Sequence, residues 1–146
     1  MEIEIKIDGN YKEPKIIILT EKMSDEINLL VRKITEDVPQ MIAGFQNDQL
    51  KVLEQDEIFR IYTANNKVFA NTSDGDYSLR LRLYELEERL EKNDFVRISN
   101  SEIINIRKVK AFDLSFTGTI CVKLIDGTVT YVSRRYVPKI KQILGI

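Results

Sequence analysis

From Met41 onward, apolar stretches of no more than four or five residues alternate with turn signals. That rhythm leaves no room for long helices and favours short strands joined by local hairpins. Leu50–Leu53 and Ile58–Tyr62 precede the polar turn Ala64-Asn65-Asn66-Lys67. Val68–Ala70 resumes, Asp74-Gly75-Asp76 turns again, and Tyr77–Leu81 follows. The period then changes: Leu83, Leu86 and Leu90, among Glu85, Glu87, Glu88 and Arg89, mark a short helix over about 83–92. Five more strands are predicted, at Phe95–Ile98, Ile103–Ile106, Val109–Leu114, Ile120–Ile125 and Thr128–Ser133. Asp126-Gly127 is the strongest hairpin signal in the chain, and Ser115–Gly118 supplies another turn. The pattern predicts a mainly β, antiparallel domain over 41–146 with one or two short helices.

Residues 1–40 read differently. Ile3, Ile5 and Ile7 alternate with Glu2, Glu4 and Lys6, which predicts a half-buried strand. Asp8-Gly9-Asn10 is a turn signal, and Lys15–Leu19 makes a second strand. Met23, Ile27, Leu30, Val31, Ile34 and Val38 follow helical spacing, with Ser24 as N-cap, Asp25 and Glu26 in the first turn, and Pro39 as the stop. The expectation is a small β-β-α unit, giving an α+β chain overall. It is too small for a receiver domain, which needs a whole doubly wound sheet. Its apolar helix face requires cover, so the unit is expected either to pack on the next domain as a satellite or to serve as a dimerisation or regulatory element.

Composition narrows the chemistry. The chain has no histidine and one cysteine, Cys121, so a zinc site of the usual kind has no ligand set and the commonest general base is missing. No glycine-rich loop joins a strand to a helix as nucleotide folds require. Asp74, Asp76, Glu85, Glu87 and Glu88 read as solvated surface rather than an acid/base site. A non-enzyme without cofactor, metal or small-molecule ligand is expected. The lone cysteine, the short apolar runs and the absence of a basic, apolar leader point to a cytoplasmic chain with no membrane partner.

The charge of −1 is unevenly spread. From Arg97 to Ile146 nine cations face three anions, a balance of +6, while the preceding 96 residues hold 13 basic and 20 acidic side chains, a balance of −7. Two readings follow: a polyanion-binding face in the last third, or an asymmetry of solvated charges without function. The doubled cation Arg134-Arg135 sits where the last strand ends, ahead of a short basic helix.

Leu83–Val109 (LYELEERLEKNDFVRISNSEIINIRKV) and Asp126–Ile140 (DGTVTYVSRRYVPKI) carry a recognisable series. It runs from a leucine-rich helix through Phe95, Arg97, Ile98, Asn100, Ser101, Ile103, Ile104 and Asn105 to Gly127, Val132, Ser133, Arg134, Arg135 and Tyr136. In order and spacing, residues 42–146 resemble the LytTR DNA-binding domain of bacterial transcription regulators. Three positions depart from its pattern. Ser99 stands where histidine is frequent and Arg82 where serine opens the short helix, and the loop after the second strand holds Asn65, Asn66 and Lys67.

The resemblance implies an elongated β domain that reads major-groove bases through strand loops; with residues 1–40 too small for a receiver domain, the expectation is a sequence-specific DNA-binding transcription regulator without one. Its partner would be double-stranded DNA, with paired direct repeats bound by two protomers as a homodimer. Arg135 is assigned to a base edge, since its planar fork matches guanine O6 and N7. Asn100 is the second reader, suited to adenine N6 and N7. Asn66 and Lys67 are further base-contact candidates, with backbone geometry an equal explanation for the asparagines. Arg134 is assigned to phosphate or to supporting the loop, Ser99 and Ser101 to phosphate oxygens or to bracing the turn, and Lys139 and Lys141 to phosphates. Arg97 is left between an acidic partner and the DNA backbone, and Asn105 reads better as an amide bonded to the main chain. The competing function is a protein-interaction module of LytTR-like fold with no specific DNA binding.

Overall fold

The computed structural model describes residues 1–35 and 41–146. Two compact units divide the chain, Met1–Asp37 and Val38–Ile146.

In the first unit only α1, Asp25–Thr35, is regular. Ser24 caps it: its carbonyl accepts from Asn28 N at 2.9 Å and its hydroxyl from Ile27 N at 3.3 Å. Asp25 and Glu26 lie in the first turn, Arg32 and Lys33 in the last, so both ends match the helix dipole. The turn at Asp8–Tyr11 forms, with Tyr11 N donating to Asp8 O. The two predicted strands do not: Glu2–Ile7 and Lys15–Leu19 make no ladder among the described residues. The reason is cover. A two-stranded hairpin is marginal unless its apolar face is buried, and Ile3, Ile5 and Ile7 remain at least 83% exposed. The predicted stop at Pro39 lies outside the described residues.

The second unit holds ten strands among the described residues: β1 Ile42–Gln46, β2 Gln49–Leu53, β3 Ile58–Ala64, β4 Lys67–Thr72, β5 Gly75–Leu79, β6 Phe95–Ser99, β7 Glu102–Asn105, β8 Val109–Asp113, β9 Ile120–Leu124 and β10 Val129–Val132. Helices α2, Leu83–Arg89, and α3, Val137–Leu144, complete it. Every strand pair is antiparallel. The strands form two sheets, seven in the order β2-β1-β5-β4-β3-β7-β6 and three in the order β10-β9-β8.

Local chemistry sets the hairpins. Gln46 pairs with Gln49 and Ala64 with Lys67, so each loop has two residues. Asn47, Asp48, Asn65 and Asn66 all adopt positive φ, between 50° and 62°. Loops with two such residues match the strand twist, and Asn and Asp tolerate that backbone best among residues with a side chain. β1 was not marked by its apolar pattern. Gly44 interrupts it, and a methyl group there would stand 2.8 Å from Leu53 Cδ1 and 2.9 Å from Tyr77 Cβ.

Two cores support the sheets. One face of the larger sheet buries Ile58, Ile61, Ala70 and Leu79 against Leu83, Leu86 and Leu90 of α2 and its C-terminal end. Val96, Ile98 and Ile104 pack instead with Ile120, Val122, Leu124 and Val132 of the smaller sheet and Ile140 of α3. Cys121 is buried and free, as a small apolar strand residue would be. Asn105 is also buried: its Nδ2 donates to Ile58 O at 2.9 Å and its Oδ1 accepts from Arg107 N at 3.0 Å. It is therefore a main-chain brace. Among the described residues no helix is long and apolar enough to cross a membrane.

Candidate nucleic-acid interface

The strand order brings distant turns to one end of the larger sheet. β3 runs towards Ala64, and β4 and β7, its antiparallel neighbours, begin there with Lys67 and Glu102. The Asn65–Asn66 turn and the Ser99–Ser101 turn therefore emerge side by side. Thr63 N donates to Ser101 O at 2.9 Å, tying the second turn to the strand that ends in the first. The segment after β10 joins them: Ser133 N donates to Ile98 O at 2.9 Å.

Arg134, Arg135 and Tyr136 form a single 3-10 turn that runs into α3. Sequence alternation placed the arginines at the end of a strand; β10 in fact stops at Val132. Their side chains still diverge, because successive residues of such a turn are about 120° apart. The Arg134 guanidinium lies against the β8–β9 loop, where a methyl group on Gly118 would come within 3.3 Å of its Nε. Arg135 is exposed and joins no ion pair among the described residues. Tyr136 is half-buried and its hydroxyl donates to Asn100 Oδ1 at 3.3 Å. Asn100 is thus tied to the residue that follows the double arginine, although 36 residues separate Asn100 from Tyr136.

The serines brace this turn. Ser101 N donates to Ser99 Oγ at 3.2 Å, and the two hydroxyls are 3.2 Å apart. Asn100 and Ser101 are exposed and Ser99 half-buried. Asn66 and Lys67 are exposed, and the turn geometry alone accounts for both asparagines. Lys139 and Lys141 are exposed on α3, which ends at Gly145 with φ of 72° and Ile146 N donating to Lys141 O.

Arg97 has a role that its position alone left open. Its side chain is only 16% exposed and pairs with Glu87 of α2. Nε donates to Ser99 O at 2.7 Å and Nη2 to Asn100 O at 2.6 Å. Arg97 thus carries the Asn100 turn on its guanidinium fork and anchors it to α2. The signal in the sequence was an arginine two and three residues before a polar turn, with a glutamate on the preceding helix. Nothing in the spacing said that they meet. Arg107 is likewise committed, to Asp94 at 2.7 Å, and Arg60 to the buried Glu102 at 2.8 Å. Thr130 of β10 donates to the other oxygen of Glu102, joining the two sheets.

The profile described as the LytTr DNA-binding domain matches residues 48–145. The chain is 33% identical over 147 aligned positions to an uncharacterized HTH-type transcriptional regulator of Staphylococcus aureus strain NCTC 8325, covering all of this chain and 99% of that protein. A counterpart in strain MRSA252 is 32% identical with the same coverage. Among the described residues of this chain no two α-helices follow one another without a strand between, so that prefix does not describe its architecture. A LytTr DNA-binding domain from Bacillus cereus superposes with a TM-score of 0.70 at 20% identity, covering 73% of this chain and 98% of that one. The family match over residues 48–145, on a chain whose fold agrees, has one conclusion: the chain belongs to the LytTr DNA-binding domain family.

Proposed function

We propose that the chain is a sequence-specific, DNA-binding transcription regulator that reads major-groove bases through the turns at one end of its larger sheet. The observation that carries this reading is the Tyr136–Asn100 hydrogen bond, which ties an exposed amide to the residue after Arg135, itself exposed and in no ion pair among the described residues. Arg135 is the guanine reader. Asn100 is the second reader: Tyr136 takes one lone pair of Oδ1, leaving both Nδ2 hydrogens and the other lone pair for a base edge. Asn66 and Lys67 reach the duplex from the neighbouring turn. Arg134, Ser99, Ser101, Lys139 and Lys141 hold phosphates and set register.

The first unit cannot stand alone, since none of residues 1–34 is buried and α1 has only 11 residues. We infer that it covers its apolar face with a second copy of the chain. Antiparallel pairing of Ile3–Ile7 with its twin, centred on Ile5, sets Glu4 opposite Lys6 twice on one face and stacks isoleucines on the other. Two protomers so joined would occupy two spaced elements of one site.

Selection of bound sequences from a random duplex pool with the purified chain tests the function. A motif with two spaced elements is expected. In a mobility shift on that motif, Arg135→Ala should cost about 1–3 kcal/mol and relax base preference, while Lys141→Ala should weaken all sequences alike. If neither substitution alters binding, the assignment of the reading end is wrong.

A further inference from the structure

Lys67 and Asn66 line an open cleft with Arg80 and Arg82, floored by Phe45 and Phe69. The register explains the cluster. Val68 pairs with Leu79, so the next residue outward on each strand is Lys67 on one and Arg80 on the other. Arg82 immediately precedes α2. Lys67, Arg80 and Arg82 are exposed, and none joins an ion pair among the described residues. Asp76 also lines the cleft, but its carboxylate is committed, with Oδ2 accepting from Tyr62 at 2.6 Å and Oδ1 from Asn71 at 2.7 Å. The Arg80 guanidinium stacks on the Phe45 ring, 4.2 Å from its centre, which fixes the plane of its fork.

Arg82 is the informative residue. Ahead of a helix, serine, threonine, aspartate or asparagine would accept from the first turn, and arginine has no acceptor to offer. Glu85 Oε1 accepts from Arg82 N at 3.2 Å and supports the turn instead. The helix thus forgoes a side-chain cap at its start, and what the position gains is an unpaired cation beside Arg80.

We propose that Arg80 and Arg82 form a phosphodiester-binding site for duplex DNA, continuous along the sheet end with the base-reading turn that carries Lys67. It rests on the DNA-binding reading above. The order β5-β4-β3-β7-β6 places four strand spacings between Leu79 and Ser99, roughly 19 Å. At about 3.4 Å per base pair, that spans five to six base pairs of duplex. The cleft therefore grips the backbone flanking the bases at Asn100 and Arg135.

The test uses the full chain, its selected duplex and a random duplex of equal length, titrated across salt concentrations. Arg80→Gln/Arg82→Gln should weaken both duplexes by the same factor and flatten the slope of log K against log salt by about 1.8. Arg82→Gln alone should remove about half of that, and Arg82→Lys should restore it. Thermal melting confirms the fold of each variant. An unchanged slope in the folded double variant, with Arg135→Ala still impaired, overturns the phosphate site and leaves the base-reading turns standing. A lost slope with Arg135→Ala unimpaired upholds the cleft and overturns the base assignment. A wild-type protein that binds neither duplex overturns both.

Discussion

The Tyr136 hydroxyl donates to Asn100 Oδ1, so the turn that follows β10 and the turn between β6 and β7 share one hydrogen bond at 3.3 Å. The bond fixes which way the amide faces. Tyr136→Phe keeps the ring, which packs against the core beneath α3, and removes only the donor. A long, partly exposed bond of this kind contributes at the low end of the range, about 0.5–1 kcal/mol. Stability should fall by no more than that in a denaturant titration. The selected motif should lose preference at the position Asn100 reads, because the amide is then free to rotate.

Arg97 supports the same turn from behind. Its guanidinium meets Glu87 and the carbonyls of Ser99 and Asn100. Arg97→Ala removes three hydrogen bonds of a charged donor and leaves Glu87 without its partner. A loss of about 2 kcal/mol is expected by chemical denaturation. Arg97→Lys keeps the charge for Glu87 but has no planar fork, so its stability should lie between the two. DNA affinity should track the order wild type, Lys, Ala. An Arg97→Ala protein with wild-type stability would mean that the turn does not depend on this anchor.

Asn105 separates scaffold from site. Its buried amide spans Ile58 O and Arg107 N. Asn105→Ala leaves the buried Ile58 carbonyl and the part-buried Arg107 amide without these partners, and a loss of about 1–3 kcal/mol is expected. At temperatures where the variant is folded, its selected motif should match the wild-type motif. A changed motif would place Asn105 at the DNA instead.

These residues show what a linear reading can and cannot reach. Asn105 was legible because an amide at a strand end has few uses apart from the main chain. The strands were legible because their turns are local: Asn65-Asn66 and Asp126-Gly127 declare themselves by backbone preference. The N-terminal alternation forms no ladder among the described residues because period reports which side chains could share a face, not what covers it. β1 escaped because Gly44 breaks the apolar pattern that marks a strand. The meeting of Asn100 with Tyr136 depends on the pairing of β3 with β7 and on the smaller sheet packing over β6. That is a long-range outcome, and no spacing along the chain encodes it. Arg97 and Glu87, ten residues apart, meet across the link from α2 to β6 for the same reason.

Tyr62 gives the larger sheet an alkaline limit. Its hydroxyl donates to Asp76, which raises its pKa above the ordinary value of 10.0; burial and the negative charge of Asp76 add to the effect, and Arg60 opposes it. The folded state therefore holds this proton where the unfolded chain has released it. The contribution is intact below about pH 10 and falls away as pH rises through the folded pKa. Denaturation midpoints of wild type and Tyr62→Phe, followed from about pH 9 to pH 11, should converge as pH rises. Parallel curves would show that Asp76 does not hold the phenol.

The N-terminal unit is open to the most direct test of assembly. Alternating Ile3, Ile5 and Ile7 have no partner within the described residues and stay exposed. In the centred antiparallel register Ile5 meets its own twin, so one substitution strikes the pair twice. Ile5→Glu sets two carboxylates face to face on the apolar side, and like charges directly opposite destabilise a strand pair. Sedimentation of the wild type should report a dimer and that of Ile5→Glu a monomer. On the selected motif, the variant should fill the two elements independently, with a first shifted band at higher protein concentration. Glu4→Lys should also weaken the dimer, by facing Lys6 with a like charge, and Glu4→Lys/Lys6→Glu should restore it. The second copy is the wrong cover if Ile5→Glu sediments as the wild type does, or if the charge swap fails to rescue.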